Sequence, residues 1–161
     1  MFRLVAAVGD GSAPVWLVAS WMLEARLAHP SYVYTARFHP QSSRLLATAG
    51  YDRVVRLWGR GEATEAGYQV LQELAGHSHH INCLVFDMEG HFLFTGDARG
   101  GIRMWESPEP PSSGPQSAAF DSSTDSFAPP KAGRGRWGLK REYRLEDGGQ
   151  ADARSVRGVA T

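Results

Sequence analysis

The sequence has one cysteine, no excess of either charge and no long apolar run, and each shortage removes a class of protein. Cys83 stands alone, so an intramolecular disulfide is impossible and a reducing compartment is the expectation. No partner that would make Cys83 a nucleophile is evident. Lys and Arg number 17 and Asp and Glu also 17. That balance argues against phosphate-driven nucleic-acid binding and against a polybasic membrane-surface protein. The apolar stretches Leu4–Val8 and Val15–Leu23 fall well short of the roughly 20 residues a membrane helix needs. Asp10 and Gly11 cut the first too early for a secretory signal. Gly9–Ser12 is too short for a phosphate loop. With 42% apolar residues the chain can still build a core.

What is present is one pattern written twice between His29 and Trp105. The first copy is HPSYVYTARFHPQSSRLLATAGYDRVVRLW and the second HSHHINCLVFDMEGHFLFTGDARGGIRMW. Each opens on a histidine and runs through an apolar strand ending in Phe38 or Phe86. A polar turn follows, then a second strand with Thr48 or Thr95, a tight turn, and a third strand closing in Trp58 or Trp105. The histidines are 48 residues apart and the tryptophans 47, slightly more than the roughly 40–45 of a WD40 repeat. A longer loop after Trp58 accounts for the excess. Gly76-His77 is the usual dipeptide before such a repeat, and Ala28-His29 a relaxed version. The expected fold is all-β: WD40 β-propeller blades, two of them four-stranded, in an incomplete propeller.

The blades follow from the residues. Val33, Ala36 and Phe38, matched by Ile81, Leu84 and Phe86, give strands apolar enough to be buried between neighbours. His29, Thr48, Asp52 and Trp58 are expected to form a buried polar chain in which imidazole, hydroxyl, carboxylate and indole satisfy one another. His77, Thr95 and Trp105 are its counterparts. The set contains residue types used in catalysis, but its spacing is that of the repeat, so the structural reading takes precedence. In the second copy the position six before Trp105 is Arg99. Asp97 lies two residues earlier and need not reach His77, so the second blade is expected to be less well fixed, or its turn used otherwise. His77, His79 and His80 invite a zinc reading. It fails because His77 belongs to the repeat and no second ligand pair with zinc spacing follows. No cofactor, metal or enzymatic activity is expected.

The rest of the chain arranges itself around the repeats. Residues 1–27 show no clear repeat and are expected to supply one outer strand, Trp21–Leu27, of a preceding blade. Residues 28–75 form the first repeat, with a fourth strand from Tyr68 to Leu74, and 76–106 the first three strands of the second. Six of the nine prolines and seven serines lie in 107–135, read as a disordered insertion. Its Pro108–Pro111 PxxP and Asp121–Ser126 are weak recognition and phosphorylation signals. Residues 136–146 alternate as a half-buried strand and would close the second blade, and 147–161 are expected to fray.

The words YDRVVRLW, HINCLVFDMEGH and GDARGGIRMW resemble consecutive repeats of the jouberin family of WD40 proteins, including the missing acid at Arg99. The WGLKREYRLED stretch from Trp137 is similar to a weaker continuation. The resemblance implies a non-enzymatic, cytoplasmic scaffold at the basal body and transition zone of the primary cilium. Its partners there would be other proteins, acting in cilium assembly. Members of that family should also carry a coiled coil, further blades and an SH3 domain. Their absence suggests a truncated or spliced product without function of its own, or a short paralogue. In propellers the loop entering the first strand and the turn between the second and third line one rim. This makes Tyr32, Tyr34, Tyr51, Arg53, His80, Asn82 and Arg99 the candidate protein-binding residues. Propellers close with about four blades or more, so a two-blade chain should self-associate or depend on a chain supplying further blades.

Overall fold

Twelve strands in three antiparallel sheets make up the computed structural model, which describes residues 2–61, 67–108, 136–145 and 151–155. The candidate PxxP and phosphorylation segments extend beyond these residues, as do parts of the insertion and tail.

The N-terminal sheet contains β1 (Arg3–Val5), β2 (Ser12–Leu17) and β3 (Met22–Ala28). Blade 1 contains β4 (Val33–His39), β5 (Ser42–Gly50), β6 (Val55–Arg60) and β7 (Tyr68–Leu74). Blade 2 contains β8 (Ile81–Phe86), β9 (Phe92–Asp97), β10 (Gly101–Glu106) and β11 (Gly138–Leu145), with β12 (Ala151–Ser155) beyond β11. In each blade the strands run in sequence order from the innermost to the outermost, as the repeat pattern requires.

Two regions differ from the sequence expectation. Residues 1–27 hold three paired strands rather than one. The first two are short and separated by a turn at Asp10 and Gly11, which leaves no length for a periodic signal. Asp10 Oδ1 caps that turn on the Ser12 N–H at 2.9 Å, and Gly11 adopts φ 80°. Within the tail, residues 151–155 pair with β11 from Arg141↔Ser155 to Leu145↔Ala151 instead of fraying. An exposed strand edge offers a row of backbone partners whatever the side chains.

Blade 1 is apolar on both faces because it has a neighbour on each side. Toward the N-terminal sheet it presents Val33, Leu46 and Trp58, packed with Ala13, Val15 and Leu27. Toward blade 2 it presents Ala47, Ala49, Val55, Leu57 and Leu74, packed with Ile81, Leu84, Leu93, Trp105 and Trp137. Full burial of one such leucine or isoleucine is worth about 1.5–3 kcal/mol. Polar clamps tie the layers. Glu24, itself nearly buried, takes both Arg3 and Arg60, and the Arg3 hydrogen bond holds its carboxyl below the usual range. Gln72 exchanges two hydrogen bonds with the backbone of Trp137, at 2.8 and 2.9 Å.

Candidate functional site

The polar chains sit where the link from one sheet enters the next blade. In blade 1 the indole N–H of Trp58 donates to Thr48 Oγ1 at 2.8 Å, and Thr48 Oγ1 meets His29 Nε2 at 2.7 Å. The Thr48 proton therefore goes to Nε2, and His29 Nδ1–H donates to the Leu27 carbonyl at 2.9 Å. Blade 2 repeats the first two bonds, with Trp105 to Thr95 at 3.0 Å and Thr95 to His77 Nε2 at 2.7 Å. Here Nδ1–H donates to the Asp97 carboxylate at 3.0 Å. Asp97 also accepts from the backbone N–H of Arg99 and of Gly101.

The structure thus puts the acid in the other blade. Asp52 does not bond His29. It lies in the tight turn, where it pairs with Arg56 and caps the Val54 N–H. Asp97, which the sequence reading leaves out, joins the His77 set, and the blade expected to be less fixed holds the set with the carboxylate. The geometric reason is a position two residues after the threonine. In blade 2 it is Asp97; in blade 1 it is Gly50, where a Cβ would lie 2.0 Å from the Tyr32 carbonyl. The signal in the sequence was the Thr95–Asp97 spacing; counting back from the tryptophan finds the turn residue instead.

The environment matches these bonds. Burial holds His77 below its ordinary pKa, against the hydrogen bond to Asp97, and the Arg103 charge adds to the lowering. His29 is lowered for the same first reason. Burial alone would raise Asp97, but the His77 bond and the two turn N–H groups outweigh it and hold the carboxyl below its usual range. Both histidines are neutral links in a hydrogen-bond chain, a role that fixes strand geometry.

The turns differ too. Arg56 reaches Asp52 through one guanidinium nitrogen and Glu73 through another, at 2.9 Å. Its counterpart Arg103 keeps only the outer partner, Glu142 at 2.7 Å, because Arg99 occupies the place of Asp52. The buried Nε and Nη1 of Arg103 have no hydrogen-bond partner among the described residues. At the tip of each turn a residue adopts the left-handed conformation, Gly100 at φ 78° in blade 2 and Arg53 at φ 67° in blade 1.

Of the seven candidate rim residues, four aromatic rings come together across the two blades. Tyr51 stacks on His80 with centroids 6.0 Å apart and planes at 14°. Tyr32 stands edge-on to Tyr51 at 6.4 Å, and Tyr34, from the inner strand of blade 1, stands edge-on to His80 at 5.7 Å. All three tyrosines are exposed. Arg53, Asn82 and Arg99 are also exposed. Among the described residues no group of histidine, cysteine and acidic side chains could hold a metal ion.

Adjoining four-stranded blades, each fastened by a Trp–Thr–His chain, define a propeller-type repeat scaffold, the class whose blades mediate binding to other proteins. Residues 22–59 and 68–106 match the family model for the WD domain, G-beta repeat, and the chain is a WD40-repeat protein with jouberin-like repeats. It is similar to jouberin of Rattus norvegicus, 39% identical over 105 residues, covering 64% of this chain and 10% of jouberin. Coronin-7 of Homo sapiens is 33% identical over 124 residues, 70% of this chain and 13% of coronin-7. Apoptotic protease-activating factor 1 of Rattus norvegicus is 28% identical over 104 residues, 64% of this chain and 8% of that protein. The chain therefore spans about a tenth of the length of the curated relatives it matches. Both family matches begin at an outer strand, β3 or β7, and end with the third strand of the next blade, so each sequence repeat straddles two sheets. No helix among the described residues is long and apolar enough to cross a membrane.

Proposed function

We propose that this chain is a non-enzymatic protein-binding scaffold whose binding surface is the rim formed by Tyr32, Tyr34, Tyr51, Arg53, His80, Asn82 and Arg99. The observation that carries the reading is the exposed aromatic cluster bridging both blades, with Tyr51 stacked on His80. Aromatic and arginine side chains are the usual energetic anchors of protein interfaces. Arg53 supports it from another side. A non-glycine residue held at φ 67° costs about 1–2 kcal/mol relative to glycine, and strain of this kind clusters at functional positions. The jouberin-like repeats favour partners among proteins of the ciliary base, the basal body and transition zone. The test is capture of transition-zone proteins by the purified chain, with Tyr51→Ala and Arg53→Gly beside it. Capture should fall in both variants, while the melting temperature holds for Tyr51→Ala and rises for Arg53→Gly. Undiminished capture would remove the rim assignment, and a set of captured proteins without transition-zone members would remove the ciliary one.

A further inference from the structure

The three sheets are unequal in a way that balances. The N-terminal sheet has three strands, blade 1 four, and blade 2 with β12 has five. In both blades the innermost strand, β4 or β8, pairs antiparallel with the second strand, β5 or β9. The N-terminal sheet holds the second, third and outer strands of a blade, since β3 leads directly into β4 as β7 leads into β8. No described strand pairs with the inner edge of β1. The backbone groups on that edge follow from the ladder. The Phe2 carbonyl accepts from Val18 N–H, and the N–H groups of Ala6 and Val8 donate to Pro14 and Ser12. Even-numbered residues therefore point to β2, and by strand alternation Arg3, Val5 and Ala7 present their N–H and C=O groups to the empty side. The surplus strand, β12, follows an outer strand in the chain, the place where the innermost strand of a next blade falls.

The outward faces of the two end sheets match as well. On the N-terminal sheet, Leu4, Trp16 and Leu23 pair across three strands and form one row on the face turned away from blade 1. Leu4 is 43% and Leu23 46% exposed. On the far face of blade 2, Val85, Phe94 and Met104 pair across three strands in the same manner, with Val85 56% exposed. Within the chain, rows of this kind are covered by the neighbouring sheet. Each end therefore carries an uncovered apolar row and an incomplete or overfull sheet, and the two ends are complementary.

We propose that two copies of this chain assemble head to tail, β12 of each adding antiparallel to the inner edge of β1 in the other. The twelve strands among the described residues are three blades' worth. The described strands of two copies would make six blades, inside the range of about four to eight at which propellers close. The contact is heterologous and repeated twice, so the ring closes without leaving free ends. Transfer of β12 gives up its pairing with β11 and gains a paired β1 edge, while the two apolar rows leave water. The inference stands independently of the binding-rim reading.

The test is the solution mass of the purified full chain by sedimentation across a concentration series, with Val5→Pro and Leu23→Glu beside it. Val5→Pro removes an N–H that faces the empty edge and leaves the β1–β2 bonds in place. Leu23→Glu puts a charge on the row without touching the inner packing. The expected result is twice the chain mass, with association weakened about tenfold or more in each variant and near-UV circular dichroism showing the variants folded. A second measurement, amide exchange at Val5, should slow with rising concentration in the parent chain. A monomer at every concentration, an open-ended polymer, or a dimer indifferent to both substitutions would overturn the proposal.

Discussion

In blade 1 the second ring nitrogen of the buried histidine donates to the backbone carbonyl of Leu27; in blade 2 it donates to the carboxylate of Asp97. The Trp-to-Thr and Thr-to-His bonds are the same in both. What differs is whether the acid spends itself on the histidine or on the arginine two residues before the tryptophan. Blade 1 gives its acid, Asp52, to Arg56 and lets the backbone serve His29. Blade 2 gives Asp97 to His77 and leaves two buried nitrogens of Arg103 without a partner among the described residues. A blade of this kind thus has two sites for a carboxylate, and each of these two fills only one.

That comparison can be broken most directly at Asp97. Asp97→Ala takes the acceptor from a His77 side chain that is 1% exposed and from two turn N–H groups. The loss should be about 3 kcal/mol, read by denaturant unfolding. Next, Gly50→Asp tries to install the blade 2 arrangement in blade 1. The Tyr32 carbonyl occupies the space, so it should destabilise by about 2–3 kcal/mol rather than improve the His29 bond. A stabilised variant would mean that the chain entering blade 1 is not held where the structure places it.

Acid should act on both blades. The folded-state pKa values of His29 and His77 lie below the ordinary 6.5. In the window between the two, the unfolded chain binds more protons, and stability falls as pH drops through it. Asp97 adds a further loss only as pH falls from its ordinary 3.8 through its lower folded value. A melting temperature flat between pH 7 and 5 would contradict the buried neutral histidines. In Asp97→Ala the histidine window should widen toward lower pH, since the bond that raises His77 is gone. The smallest effect is a gain. Arg99→Asp places an acid four residues before Arg103, as Asp52 stands to Arg56, and should stabilise by about 1 kcal/mol. No gain would mean that the orphaned nitrogens of Arg103 already have solvent.

The repeat and its strands were legible because alternating apolar runs and turn residues recur at a fixed offset. Trp58 and Trp105, Thr48 and Thr95, and His29 and His77 could be paired from spacing alone. The acid could not, because two positions compete for it and the choice depends on a backbone contact, the Tyr32 carbonyl over Gly50, that no residue type announces. The N-terminal sheet was equally hidden. β1 is three residues long and its pairing with β2 is a matter of register, whereas the one strand read from sequence, near Trp21–Leu27, is the longest of the three. Blade 2 needed a strand from beyond the Pro/Ser-rich segment, and there the alternation of Trp137, Leu139, Tyr143 and Leu145 marked it. The sequence offered Tyr32, Tyr34, Tyr51 and His80 only as separate candidates, and the stacking of Tyr51 on His80 across two blades is a product of the fold.

His29 and His77 occupy the only covalent crossings between described sheets, β3 to β4 and β7 to β8. Each is bonded to the second strand of the blade it enters, through the threonine that also takes the indole N–H of the third. Protonating or removing one would therefore act less on the sheet than on its coupling to the sheet before it. The unfolding of such a chain is a row of linked elements, with the histidines setting how strongly each transition drags its neighbour along. Losing either one should broaden the melt as well as lower it, because what is lost is the cooperativity of the array.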